Sequence, residues 1–324
     1  MKSIEVSVIL VGYQNYDLMA ECLRTLYAYT QSVKFEVIVA DNAASEVGKR
    51  LIINKFPEVI WIDMGYNAGF SRANNQAMMR ACGKYFLLLN ADTLLTDNTV
   101  LLHCLFRLNH QKDIAACSVQ QLNRNNEVCY IETNFDFRKH FFVVPPTFNG
   151  LLNAFFSQKP FTNPNQCEWL SGAFLFVRRE AVEQAGLMDE DFFLYAEDVE
   201  WCHRLGKTGK LMLYKDLEII HLENDLNPYR PKDISYINRF SPQIQLSNSL
   251  WVRKQFGLFS YLMLIFNYLV MIPVFYTWKI ALNLIKLKSP FHQTENQKAF
   301  AQKTRVMLRF FWDTVFLRKQ FYKI

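Results

Sequence analysis

Residues 85–92 read YFLLLNAD. Five apolar residues in a row, stopped abruptly by Asn90, Ala91 and Asp92, describe a short strand buried on both faces with a carboxylate just past its C-terminal end. Working outward, Phe70–Cys82 before it reads as a helix, Val59–Ile62 as a strand and Ser45–Phe56 as a helix. Phe35–Ala40 is a further strand, ending at Asp41. Tyr16–Thr30 has helical spacing through Leu18, Cys22, Leu26 and Tyr29, and Val6–Val11 opens the chain as a strand. On the other side, Asn98–Asn109 reads as a helix and Ile114–Val119 as a strand. The alternation β-α-β-α-β-α-β-α-β implies a parallel sheet with right-handed crossovers. Asp41 and Asp92 then fall at the carboxyl ends of strands, where ligands bind in open α/β sheets.

Residues 120–167 are irregular and rich in Asn, Pro and Phe, which predicts a long loop or insertion. Order returns at Glu168 with a strand through Ala173–Val177, a short helix from Arg179 and a helix through Asp198–Leu205. Leu211–Tyr214 and Ile219–His221 are strand-like. A boundary is expected near 227–231, dividing a body (1–229) from a tail (230–324).

The 324-residue chain has 51% apolar and 20% charged residues, which excludes global disorder. Its net charge of +6 hides an asymmetry: residues 1–229 hold 21 basic and 27 acidic side chains, residues 230–324 hold 15 and 3. The acidic body argues against nucleic acid as a partner. The basic tail reads as a surface for anionic lipid or nucleic acid. The seven cysteines are odd in number and contain no CxxC pair, so a reducing compartment fits better than a disulfide scaffold or a zinc knuckle. The N-terminal apolar run contains Glu5 and is too short for a signal peptide's core.

Several polar residues stand where chemistry is possible. Glu197-Asp198 opens a helix, where free N–H groups and the positive dipole end favour an ionised carboxylate. Each of Asp41, Asp92 and Asp198 taken singly is as well read as a cap or a solvated acid. Their convergence on one sheet edge favours function. In NAGFSRANN (67–75), Gly69 allows close backbone approach, and two asparagines and Arg72 supply donors next to a helix start, a sensible seat for a diphosphate; an ordinary turn with a helix cap reads equally well. Trp169, Trp201 and Phe192-Phe193 suit either stacking on a ligand or core packing, with packing favoured for Phe192 and Trp201. His203 reads as structural, and His103, His110, His140 and His292 lack metal-ligand spacing.

The ordered blocks VSVILVGYQN (6–15), Asp41-Asn42-Ala43, NAGFSRANN (67–75), LLLNADT (87–93), WLSGAFLFVRR (169–179) and DEDFFLYAEDVEWCHR (189–204), followed by His221, resemble glycosyltransferase family 2. They are most similar to its bacterial rhamnosyltransferase-like branch, which builds surface polysaccharides. The resemblance implies a GT-A fold: a mostly parallel, Rossmann-like sheet flanked by helices. It implies an inverting sugar transfer from a UDP- or dTDP-sugar, assisted by Mg²⁺ or Mn²⁺. Carried over by position, Gly12 and Tyr13 line the nucleotide pocket and Asp41 accepts from the N3–H of a pyrimidine. Asn67, Gly69, Arg72 and Asn90 lie near the donor. Asp92 and His221 are placed at the metal, Asp198 is the general base with Glu197 in reserve, and Trp169 faces the acceptor. The family's paired acids appear here as Asn90-Ala91-Asp92, so the first carboxylate is an amide.

The tail contains an uncharged stretch of 24 residues, 255–278, long enough to cross a bilayer once. Arg253 and Lys254 precede it, and residues 279–324 hold ten basic and two acidic side chains. A single span would place a strongly basic segment on the far side, against the positive-inside rule. The expectation is therefore a helix or helical hairpin lying in the cytoplasmic leaflet of the cell membrane. A true span and a soluble, dimer-forming helical pair are the alternatives. The resemblance supplies a reason for the tail, because such enzymes use acceptors carried on polyprenyl diphosphate. Two other classes compete with a transferase. A nucleotidyltransferase wants a Gly-rich, basic loop after its first strand, where this chain has GYQNYD (12–17). A non-catalytic nucleotide-sugar binder would account for Asn90.

Overall fold

The computed structural model describes residues 4–129, 142–145, 161–222, 241–318 and 321–324. The expected boundary near 227–231 and most of the irregular segment after residue 129 lie outside the described residues. The described part of the chain falls into two compact units. Residues up to 129, 161–193 and 197–222 form the first, while 142–145, 194–196 and everything from 241 onward form the second.

The first unit is built on one sheet of nine strands: β1 (Val6–Gly12), β2 (Phe35–Asp41), β3 (Ile60–Asp63), β4 (Tyr85–Leu89), β5 (Thr93–Leu95), β6 (Ile114–Leu122), β7 (Gln166–Cys167), β8 (Phe174–Arg178) and β9 (Lys210–His221). Their order is β3-β2-β1-β4-β8-β6-β9-β5, with β7 beside β9. The strands β3, β2, β1 and β4 run parallel, as the alternation of elements requires. Between them come α1 (Tyr16–Tyr29), α2 (Glu46–Ile53) and α3 (Gly69–Arg80), and α4 (Val100–His110) joins β5 to β6. After β8 follow α5 (Arg179–Ala185) and α6 (Glu197–Leu205).

The apolar run at 85–89 is buried on both faces for a visible reason. Leu87 and Leu89 join a core with Met19, Cys22 and Leu26 of α1 and Cys104 and Leu108 of α4. Phe86 and Leu88 join a second core with Ala77 and Met78 of α3 and Trp201 and Cys202 of α6. A sheet sandwiched between two helical layers leaves no place for a polar residue in its central strand.

Three strands depart from the parallel pattern. β8 runs antiparallel to both its neighbours, β4 and β6, and β5 and β7 run antiparallel to β9. Leu211–Tyr214 and Ile219–His221, read as two strands, belong to the single strand β9. Its pairing with β6 slips between Val119 and Gln120, taking up the polar residues Lys215 and Asp216. β5 and β7 have three and two residues and leave no periodicity to read.

The second unit is helical. α7 (Pro242–Ile285) starts as its sequence directs: Ser241 caps it by accepting from the Ile244 N–H, and Pro242 fills the first turn, where no N–H is needed. The helix breaks at Gly257, whose φ of 86° is left-handed. Two limbs result, 242–256 and 258–285. Asn283 closes the turn that follows by donating to the carbonyls of Pro290 and His292. α8 (Glu295–Arg309) and α9 (Phe311–Val315) then pack back on the long limb. Phe300 stacks on Tyr268 and meets Phe275 edge-on, and Phe311 stacks on Tyr261. Arg253 donates to the Val315 carbonyl, satisfying the end of α9.

Candidate active site

The strand register brings the singled-out residues to one edge of the sheet. Gly12 pairs with Asp41 at the ends of β1 and β2. Leu89, at the end of β4, pairs with Phe174 at the start of antiparallel β8, so Gly172 reaches the same edge as Asn90. His221 ends β9 opposite Thr93.

On the β1–β2 side, Asp41 is fully buried. The Tyr16 hydroxyl donates to both its oxygens at 3.1 Å, and the Ala43 and Ser45 N–H groups add bonds at 3.2 and 3.3 Å. Gly12 leaves room beside it: a Cβ there would lie 3.4 Å from Asp41 Oδ1 and would displace only the mobile end of Met19. Tyr13 is half exposed and presents an open ring. Asn67 accepts from the Gly69 N–H, turning the chain into α3. Gly69 has φ 74°, and its position lies so close to the Phe193 carbonyl that an added Cβ would sit 2.2 Å from the oxygen. Arg72, in the first turn of α3, stands 3.9 Å from Glu190 and is partly exposed.

Two asparagines that the sequence reading did not single out hold this region. Asn42 donates to the Gly69 carbonyl at 2.9 Å and accepts from the Ala68 N–H at 3.1 Å, fastening the end of β2 to the start of α3. Asn75 donates to the Met188 carbonyl and Glu190 and accepts from the Met188 N–H, fastening α3 to the segment before α6. A signal was present: asparagine is a poor interior helix residue, so adjacent ones in a helical run need a reason.

The acidic pair opens α6. Asp198 accepts from the Gly172 N–H at 3.2 Å and the Val199 N–H at 2.9 Å. Burial pushes its carboxyl above the ordinary range, while those two donors and the neighbouring Trp169 side chain pull the other way. Trp169 thus bears on the acid itself. Gly172 permits the approach, with Phe70 3.2 Å from the place of a Cβ. Glu197 is buried, and its Oε2 has no hydrogen-bond partner among the described residues. Burial first, and then the neighbouring Asp198 charge, push its carboxyl well above the usual range. With two backbone N–H donors on Asp198 and none on Glu197 Oε2, the pair's charge is favoured on Asp198 and its proton on Glu197. Phe192 and Trp201 are core residues, and the Trp201 indole donates to the Gly186 carbonyl. Burial lowers the pKa of His203, at the last turn of α6.

The raised pKa of Glu197 carries a stability consequence. Below about pH 4.3 the carboxyl is protonated in folded and unfolded chains alike. Above that, the unfolded chain releases the proton while the folded one keeps it, so stability falls as pH rises toward the folded value. Glu197→Gln is therefore expected to melt at higher temperature than the parent at pH 8, with the difference vanishing near pH 4. An equal difference at both pH values would show that ionisation is not what burial penalises there.

At the third corner, His221 Nε2 lies 3.4 Å from Asp92 Oδ1 and 3.4 Å from Asn90 Nδ2. His221 is buried and Asp92 partly exposed. A carboxylate and an imidazole together suit Mg²⁺ or Mn²⁺, given further oxygen ligands. No group of three His, Cys, Asp or Glu side chains capable of holding a metal occurs among the described residues. The donor set therefore fits a cation that takes its remaining ligands from a diphosphate and water.

A mixed sheet between helical layers, with acids and a histidine at its carboxyl edge, defines a GT-A fold. Residues 7–186 match glycosyl transferase family 2, and the chain belongs to that family. Among its relatives is the N-acetylglucosaminyl-diphospho-decaprenol L-rhamnosyltransferase of Mycobacterium tuberculosis, 38% identical over 84 residues. That match covers 22% of this chain and only 27% of the mycobacterial protein. Rhamnosyltransferase WbbL of Escherichia coli is 23% identical over 216 residues, covering 64% of this chain and 80% of that protein. Among solved structures, GalNAc-T7 with UDP, GalNAc and Mn²⁺ aligns with a TM-score of 0.57 at 14% identity, covering 97% of this chain and 57% of that one. Mannosyltransferase PcManGT of Pyrobaculum calidifontis, with GDP-Man and Mn²⁺, aligns at 0.52 and 15% identity, covering 97% and 88%. At these identities the likeness is one of fold.

Proposed function

We propose that this chain transfers a sugar from a UDP- or dTDP-sugar to a hydroxyl of a saccharide carried on a polyprenyl diphosphate, inverting the anomeric centre, in the synthesis of a cell-surface polysaccharide. The observation that carries the reading is Asp198, held by the Gly172 and Val199 N–H groups at the same sheet edge as Asp41, Asp92 and His221. A sugar hydroxyl is a weak nucleophile, and a fixed carboxylate removes its proton as attack proceeds. The acceptor oxygen bonds to the anomeric carbon, the bond from that carbon to the diphosphate oxygen breaks, and the nucleoside diphosphate departs. One displacement with one base inverts the centre. Tyr13 and Asp41 take the base of the nucleotide, and Asn67, Gly69, Arg72 and Asn90 border the diphosphate and sugar. Asp92 and His221 would hold Mg²⁺ or Mn²⁺, which supplies positive charge against the departing diphosphate. Trp169 orients Asp198 on the acceptor side.

The mycobacterial relative's name describes a lipid-diphosphate acceptor, which supports the same class here. The long apolar limb of α7 and the basic tail support attachment to the anionic cytoplasmic face of the cell membrane. There the lipid-carried acceptor is concentrated. Nucleic acid is not a partner of the acidic body. A binder without turnover is the second reading, favoured by the amide at Asn90 where a carboxylate would strengthen the cation site. The two are separated by following nucleoside diphosphate release from UDP- and dTDP-sugars in Mn²⁺ or in EDTA. Release that needs the cation is expected. Binding of the nucleotide with no release in either condition would leave the binder.

A further inference from the structure

The long limb of α7, residues 258–285, is at 1.5 Å per residue about 42 Å long, enough to cross a hydrocarbon core of about 30 Å. Its surroundings in the helical unit argue otherwise. One stripe of the limb, Tyr261, Ile265, Tyr268 and Phe275, is buried, with Phe300 and Phe311 of α8 and α9 against its rings. The opposite stripe, Phe259, Met263, Phe266, Leu269, Trp278 and Ile285, is exposed, with Phe259 at 75% and Phe266 at 68%. A span would carry α8 into the hydrocarbon beside it, yet α8 turns Lys298, Gln302, Arg305 and Arg309 outward. Lone charges at that depth are strongly disfavoured.

A second observation is independent of α8. Asn267, midway along the limb, donates to the Val143 carbonyl at 3.0 Å and accepts from the Val143 N–H at 2.9 Å. Residues 142–145 have no regular secondary structure. Irregular backbone of this kind does not face lipid at hydrocarbon depth. The same asparagine would be an unfavourable choice at the middle of a span, and here it is used to seat a loop.

We infer that the limb and α8 form a hairpin that lies within one leaflet of an anionic lipid surface. The stripe from Phe259 to Ile285 faces the acyl chains, and Lys286, Lys288, Lys298 and Arg305 sit at the level of the headgroups. The two flanks match the two zones of a leaflet: an aromatic and aliphatic stripe for the acyl boundary, and exposed cations for phosphates. Both come from one continuous hairpin, and the cations argue for lipid over a second copy of the same basic surface. The inference deepens the membrane attachment proposed above but does not depend on the sugar transfer.

The test has two arms, both on the full chain. In the first, the protein is mixed with phosphatidylcholine vesicles containing 30 or 0 mol% phosphatidylglycerol. Binding is expected to require the anionic lipid, to weaken in 1 M salt, and to fall at least tenfold in Phe259→Glu/Phe266→Glu without a drop in melting temperature. Binding unchanged by that pair, or no vesicle binding with a dimer that the pair dissociates, would overturn the inference. In the second, Leu287→Cys at the hairpin's end and the native exposed Cys82 are labelled in sealed membrane vesicles with an impermeant maleimide. Labelling of both from one side is expected. Cys82 reactive and position 287 protected until detergent is added would show a span, whatever the activity proves to be.

Discussion

Asp198→Asn is expected to lower sugar transfer by about 10²–10⁴-fold while leaving nucleoside diphosphate binding within about twofold. The amide keeps the shape of the carboxylate and an oxygen to accept from the Gly172 N–H, but it takes no proton. The effect should fall on kcat, because the proton moves only as the acceptor attacks. In the parent, kcat/KM should fall as acid is added through a pKa displaced above the ordinary carboxylate range, since burial raises that of Asp198. Glu197→Gln supplies the contrast: its carboxyl already keeps its proton in the fold, so transfer should change far less. A Glu197→Gln loss as deep as that of Asp198→Asn would move the base to Glu197.

Gly69→Ala is expected to destabilise the first unit by about 3–5 kcal/mol, among the largest effects of a single methyl group. Two causes add. The left-handed backbone costs a residue with a Cβ roughly 1–2 kcal/mol. The new carbon would also sit 2.2 Å from the Phe193 carbonyl oxygen, which already accepts from the Phe70 N–H. That oxygen is backbone and cannot turn aside, so α3 must shift away from the segment that leads to α6. Gly65→Ala isolates the two terms, because Gly65 has a similar φ of 72° with nothing within 4 Å of an added Cβ. A melting-temperature loss of roughly 10 °C at position 69 against roughly 3 °C at 65 is expected. Equal losses would show that the approach to Phe193 is tolerated.

The parts of this architecture readable from the sequence are those where one face or one end of an element has a single physical solution. The run at 85–89 had to be a doubly buried strand, and the carboxylates at the end of β2 and after β4 had to fall at the sheet's carboxyl edge. Ser241-Pro242 and Gly257 mark where α7 begins and where it breaks, because capping and left-handed backbone each select few residue types. The reversed direction of β8 was not legible, since an apolar strand carries no mark of the direction its neighbours run. β5 and β7 were too short to show a period. Tyr16 read as one aromatic in an amphipathic helix, and only the fold shows its hydroxyl on Asp41. Asn42 and Asn75 act through backbone groups distant in sequence, so their partners could not be read from spacing. Trp169 read as well for stacking on a sugar as for packing, and only the fold shows its side chain beside Asp198.

The central claim is that the carboxyl edge of the sheet is a pyrimidine nucleotide-sugar site. Its most direct test is the melting temperature of the chain with UDP, dTDP, GDP and ADP, each in Mn²⁺, Mg²⁺ or EDTA. A ligand at one hundred times its Kd adds about 2.7 kcal/mol, which a melting curve resolves readily. The account predicts a cation-dependent rise with UDP or dTDP, preserved in Asp198→Asn and absent with ADP and GDP. No rise with either pyrimidine nucleotide, in a protein that is folded and melts cooperatively, would contradict it.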